Sequence, residues 1–131
     1  MINRHVTTVV VYDPGQDARI PLLKVPEKHQ YTIEKAYATA DRATAADGTN
    51  YWALTLQNGG ADQTGMVAIS DAIGGVGGWA ANTPKTFSIT NGLGGLSAGQ
   101  WLMLAYDENG VVAPGLVVVT IEYVDGVGVT A

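Results

Sequence analysis

The sequence predicts an all-β protein, an antiparallel β-sandwich of jelly-roll type with about eight strands. Three observations predict it. Short apolar runs follow one another, cut apart by Gly, Asn, Asp and Pro at intervals of roughly 8–12 residues. Several of these runs alternate apolar and polar residues with a period of two, as half-buried strands do. No stretch carries a helical period long enough to cover a sheet. Eight strands in two sheets suit a jelly roll, which is two Greek keys.

The elements follow in order. Residues 5–12 (HVTTVVVY) are β-branched and apolar, a strand. Asp13-Pro14-Gly15-Gln16 suits a type II turn, with Pro and Gly at its centre. Residues 18–25 (ARIPLLKV) then read as the return strand. Pro21 has no N–H to give a ladder, so this strand belongs at an edge or is irregular. Pro26-Glu27-Lys28 breaks it. Residues 29–39 form the next strand, and a bulge near Glu34-Lys35 reconciles its broken alternation. Residues 40–50 are a loop with enough Ala for one helical turn.

Residues 51–57 alternate cleanly, with Trp52, Leu54 and Leu56 on one face. Asn58-Gly59-Gly60 ends them. Residues 64–70 form a short strand with Val67 and Ile69 inward. Residues 71–82 hold a run of glycines too flexible for a regular element. Residues 85–90 place Phe87 and Ile89 on one face, and residues 91–99 are a second glycine-rich loop. Residues 100–106 are apolar on both faces, as in a central strand or one covered by a neighbouring subunit. Asn109-Gly110 predicts a hairpin into residues 116–124. There Val117, Val119, Ile121 and Tyr123 form the buried face.

At 131 residues the chain reads as one domain, spanning 1–131. Residues 1–28 read within it as an arm or hairpin available to a partner. No apolar stretch approaches the roughly 20 residues of a membrane span. The first residues lack the apolar segment of a secretory signal. There is no cysteine, so there are no disulfides and no thiolate metal sites. The net charge of −5 argues against nucleic acid as a partner. That charge is uneven. Residues 1–42 hold six of the seven basic side chains and carry +1, while residues 43–131 carry −6. The split fits either ordinary solubility or an N-terminal part that faces an acidic partner.

Little in the chain points to catalysis. Its two histidines, His5 and His29, have no serine nearby in a nucleophile motif. Most of the twelve carboxylates lie in turn-like contexts, where Asp bonds neighbouring backbone N–H groups. Neither glycine-rich segment matches a phosphate loop, and no spacing predicts a metal or cofactor site. Trp52 and Trp101 read as core or subunit-contact residues. Trp79, inside a glycine-rich loop, is either an exposed binding residue or a plug for one end of the sandwich.

Residues 31–38 (YTIEKAYA), 49–56 (TNYWALTL), 96–104 (LSAGQWLML) and 114–123 (PGLVVVTIEY) together form a pattern of strands and turns. In this the chain resembles, over residues 29–125, the small β-sandwich head decoration (cement) proteins of tailed bacteriophages and related virion surface proteins. The resemblance implies a non-enzymatic protein, made in the host cytoplasm and located on the capsid surface of the virion. It implies a homotrimer at quasi-threefold positions that bridges major capsid protein subunits and strengthens the shell. It implies no catalytic residue and no cofactor. Arg4, Arg19, Lys24, Lys28, Trp79 and Trp101 are then the candidates for capsid or subunit contact. A head-fibre or tail-surface subunit is the nearest alternative. A carbohydrate-binding module using Trp79 with Asp71 or Asn82 is another, and it predicts a monomer.

Overall fold

The computed structural model describes residues 3–126. Ten strands form two antiparallel sheets that enclose one apolar core. In the first sheet β1 (Asn3–Tyr12) pairs with β10 (Leu116–Asp125), β10 with β3 (Tyr31–Ala40), and β3 with β7 (Lys85–Phe87) and β8 (Gly95–Leu96). In the second, β2 (Ala18–Lys24) pairs with β9 (Trp101–Asn109) and β9 with β4 (Tyr51–Asn58). The short strands β5 (Val67–Ala68) and β6 (Ile73–Gly74) both pair with β4.

The pairings are nested: β1 with β10, β2 with β9, β3 with β7, β4 with β5. This is the strand order of a jelly roll, as if one long hairpin were wound around a barrel. Strands adjacent in sequence at the two ends of the chain therefore lie in opposite sheets. Two hairpin expectations are corrected on this point. The turn at 13–16 leads from β1 across to β2 in the other sheet, and residues 110–115 lead from β9 across to β10. Six residues span a gap between sheets that a two-residue Asn-Gly hairpin would not need to span.

Local chemistry explains several elements. β2 is indeed an edge strand, and its register on β9 shifts between Pro21 and Leu23, where the missing N–H interrupts the ladder. The irregularity of β3 is a bulge at Glu34. Glu122 faces Lys35 and Tyr123 faces Ile33, leaving Glu34 without a partner in the ladder. The extra residue lets Ile33 and Ala36 both point inward, at 3% and 0% exposure.

β9 is the central strand of the second sheet, and residues 102–106 are all buried. Leu102, Leu104 and Tyr106 enter the shared core. Met103 points the other way and is covered by the chain itself. An added Cβ on Gly59 would come within 2.6 Å of the Met103 side chain and 3.3 Å of the Met66 sulfur.

Other expectations need correction. Val67 is exposed, because β5 is a two-residue edge whose outward position meets water; only Ile69 of that segment enters the core. The glycine-rich segments are more regular than expected. Ile73–Gly74 pairs with Leu54 and Ala53, residues 75–77 form a 3-10 turn, and Gly95–Leu96 pairs with Thr32 and Tyr31.

Leu104 is fully buried on the central strand. Leu104→Ala is expected to cost about 2–5 kcal/mol through lost apolar burial and the cavity left behind. Urea unfolding of the two proteins measures it.

Candidate functional site

The six predicted contact residues separate into three groups. β1 runs toward the end of the sandwich that holds the 13–17 turn, and β2 runs back, so Arg4, Lys24 and Lys28 come to one end. Trp101 is there too, facing Lys24 across the β2–β9 ladder. The Lys24 ammonium lies 5.8 Å from the Trp101 ring centroid, a cation–π contact. Lys28 holds a left-handed backbone (φ 65°) in the turn before β3. Among the described residues neither Lys24 nor Lys28 forms an ion pair. Arg4 pairs with Glu34, the bulge residue. Arg19 stands apart, toward the opposite end, 3.1 Å from Asp107.

Trp79 forms the third group by itself, and it is a core residue. It is 3% exposed and stacks on Trp52 with ring centroids 4.5 Å apart and planes 11° from parallel. Its indole N–H donates to the Thr83 carbonyl, and that of Trp52 donates to the Thr44 hydroxyl. A two-way backbone bridge between Thr44 and Trp79 ties the loop after β3 to the glycine segment. That approach needs Gly78. Its φ is 76°, and a Cβ would collide with the Thr44 carbonyl oxygen. Of the two readings of Trp79, the structure has the plug. The exposed platform that stacking on a sugar needs is not there.

No protein-family model matches the chain, and no curated protein sequence does.

Several carboxylates accept hydrogen bonds from backbone N–H groups. The Asp13 carboxylate accepts from the Gly15 N–H, and Asp62 accepts from Thr64. Asp41 accepts from the Leu116 N–H and Asp17 from the Glu108 N–H. Asp47 accepts from the Thr49 and Asn50 N–H groups, which hold its carboxyl below the usual range. A shallow depression of about 330 Å³ opens beside Asp47, lined also by Thr44, Asn50 and Val112. Its carboxylate is already committed to the turn. Among the described residues no group of three His, Asp or Glu side chains is placed to hold a metal ion.

The fold does bring both histidines to one end. His29 Nδ1 lies 2.9 Å from the oxygens of the largely buried Asp125. His5 stacks on Tyr123, which packs on Tyr31. This cluster contains an imidazole oriented by a carboxylate, which a hydrolase also uses. Its hydroxyls, however, are phenols. Tyr31 is pushed above the usual phenol value, first by burial and then by Tyr123 and Asp125. That shift holds its proton in place, opposite to what a nucleophile needs.

Sequence reasoning missed the outer face of the first sheet. Val6 (65% exposed), Val10 (59%), Tyr12 (72%) and Leu116 (36%) all lie on it. Val10 faces Val118 and Tyr12 faces Leu116 across the ladder, so these four side chains are contiguous, with Val6 beyond Thr8. A signal was available. HVTTVVVY is apolar at successive positions, without the alternation of a half-solvated strand.

Two predictions follow from these placements. Trp79→Ala is expected to cost about 3–5 kcal/mol in urea unfolding and to change the near-UV circular dichroism of the stacked indoles. Tyr106 is raised far above the usual phenol value by burial and then by the Glu108 carboxylate. Ionising it is easier in the unfolded chain, so the native state is favoured fully below pH ~10 and loses that advantage as pH rises further. Urea titrations between about pH 8 and 11 should show the loss, reduced in Tyr106→Phe.

Proposed function

We propose that this protein is a non-enzymatic structural protein that binds the outer surface of a bacteriophage capsid and stabilises it. The observation that carries the reading is the end of the sandwich that holds Arg4, Lys24, Lys28 and Trp101, with Lys24 over the Trp101 ring. Two of these cations have no carboxylate partner in the chain among the described residues. Trp is enriched at interface centres, and unpaired cations beside it suit the charged rim that steers an acidic partner. Asp13, Asp47 and Asp62 accept from backbone N–H groups of their own turns, and Asp17 and Asp41 from those of β9 and β10. The jelly roll by itself is shared by capsid proteins, lectins and enzymes, so it does not choose among them. The resemblance of residues 29–125 to virion surface proteins supports the capsid reading. On this reading the acidic partner is the exposed face of the major capsid protein, met by Lys24 and Lys28.

The test is co-sedimentation with expanded phage heads stripped of their surface proteins. The wild-type chain is expected to pellet with the heads, less so as salt is raised. Lys24→Glu with Lys28→Glu is expected to weaken binding about tenfold or more, with an unchanged urea midpoint. Equal pelleting of the double variant would remove these residues from the interface. Failure of the wild type to pellet would overturn the capsid reading.

A further inference from the structure

The ladder between β1 and β10 shows which backbone groups of β1 remain unpaired. The Asp13 N–H donates to the Gly115 carbonyl at 3.0 Å, and the register places Tyr12 opposite Leu116 and Val11 opposite Val117. Asp13 and Gly115 therefore form a hydrogen-bonded pair, and such pairs recur at every second residue. The odd-numbered residues of β1 bond to β10. The N–H and C=O groups of Arg4, Val6, Thr8, Val10 and Tyr12 point away from the sheet. No other strand among the described residues pairs with them.

The remaining sheet edges are blunted. β5 and β6 have two residues each, β7 has three and β8 two. β2 is interrupted at Pro21. Short edges and proline are devices that prevent strand addition. β1 has ten residues, no proline, no lysine and no carboxylate.

We propose that β1 is a dimerisation strand, pairing antiparallel with β1 of a second copy of this chain about a twofold axis at Thr8. The unpaired groups are all on even-numbered residues, so even must face even. The register that uses all five sets Thr8 against the partner's Thr8, Val6 against the partner's Val10, and Arg4 against the partner's Tyr12. It forms about ten hydrogen bonds between chains. The outward side chains match: two Val–Val pairs flank a Thr–Thr pair, each favourable across a ladder. Each Arg4, exposed and paired with Glu34 of its own chain, lies opposite the uncharged Tyr12 of the partner, so no like charges meet. The two Arg4 side chains stand about 27 Å apart, eight residues of strand, beyond their mutual repulsion. Parallel pairing would place them side by side. A twofold contact also consumes the edge it uses, so growth stops at two chains. The result is one continuous sheet through both subunits.

The test is light scattering on a sizing column, with wild type, Thr8→Pro and two single-cysteine variants. Proline at 8 removes an outward N–H and leaves the bonds to β10 intact. The expected mass is twice that of one chain for wild type. Thr8→Pro is expected to weaken association about tenfold or more, with an unchanged urea midpoint when both proteins are diluted until monomeric. Oxidised Thr8→Cys should form a covalent dimer, because facing residues lie about 5.5 Å apart. Val6→Cys should not, because its copies are about 13 Å apart in this register. A wild-type monomer at high concentration, a trimer indifferent to Thr8→Pro, or equal cross-linking at 6 and 8 would each overturn the proposal. None of these results depends on capsid binding, so the two readings fail separately.

Discussion

A sheet that stops leaves half of the polar backbone groups of its last strand facing outward. The rest of this structure is arranged around that constraint. Nested pairing requires the first strand to lie beside the last one, and it puts β1 on the outside of its sheet. The other margins are cut to two or three residues or broken by Pro21. The asymmetry has an energetic sense. A short margin exposes few groups and offers a neighbour little to bind, whereas a ten-residue margin offers a full ladder.

The two ends of the sandwich are closed by different means. At one, Trp79 lies flat on Trp52 under a loop held by Gly78. The stack fills the space between the sheets with aromatic surface, and each indole N–H still finds an acceptor. At the other, the closure is polar and aromatic together: His5, Tyr123, Tyr31 and the His29–Asp125 pair. Lys24, Lys28 and Trp101 sit at this second end, so the wetter closure is also the one with unpaired cations.

What was readable in the sequence was whatever local chemistry decides. Pro21 marks an edge because the missing donor is its own. The alternation of Trp52, Leu54 and Leu56 survives because one neighbouring face buries all three. The Glu34 bulge is visible as a broken period within a single strand. What was hidden depends on partners far along the chain. Asn109-Gly110 has the composition of a hairpin turn. The pairing of the first and last strands overrides it and sends the chain to the other sheet. Trp79 follows a run of glycines, and its sequence alone does not choose between an exposed residue and a plug, because Trp52 and Thr44 reach it only through the fold. Three of the basic residues gather at one end for a simple reason, since two antiparallel strands and a turn return the chain there. Arg19, at the start of the returning strand, is left at the other.

The nested order also has a consequence for how the chain comes off the ribosome. Each inner pair can form once its two strands are made, but β1 pairs with β10, the last of the ten described strands. Until β10 is made, HVTTVVVY has no strand partner among the described residues. Non-local pairing of this kind is slow, because loop closure must precede any gain from contacts. A β-branched segment left waiting is the kind that joins with copies of itself on nearby polysomes. Its yield in cells should then be governed by how long β1 waits for β10, and less by how stable the finished sandwich is.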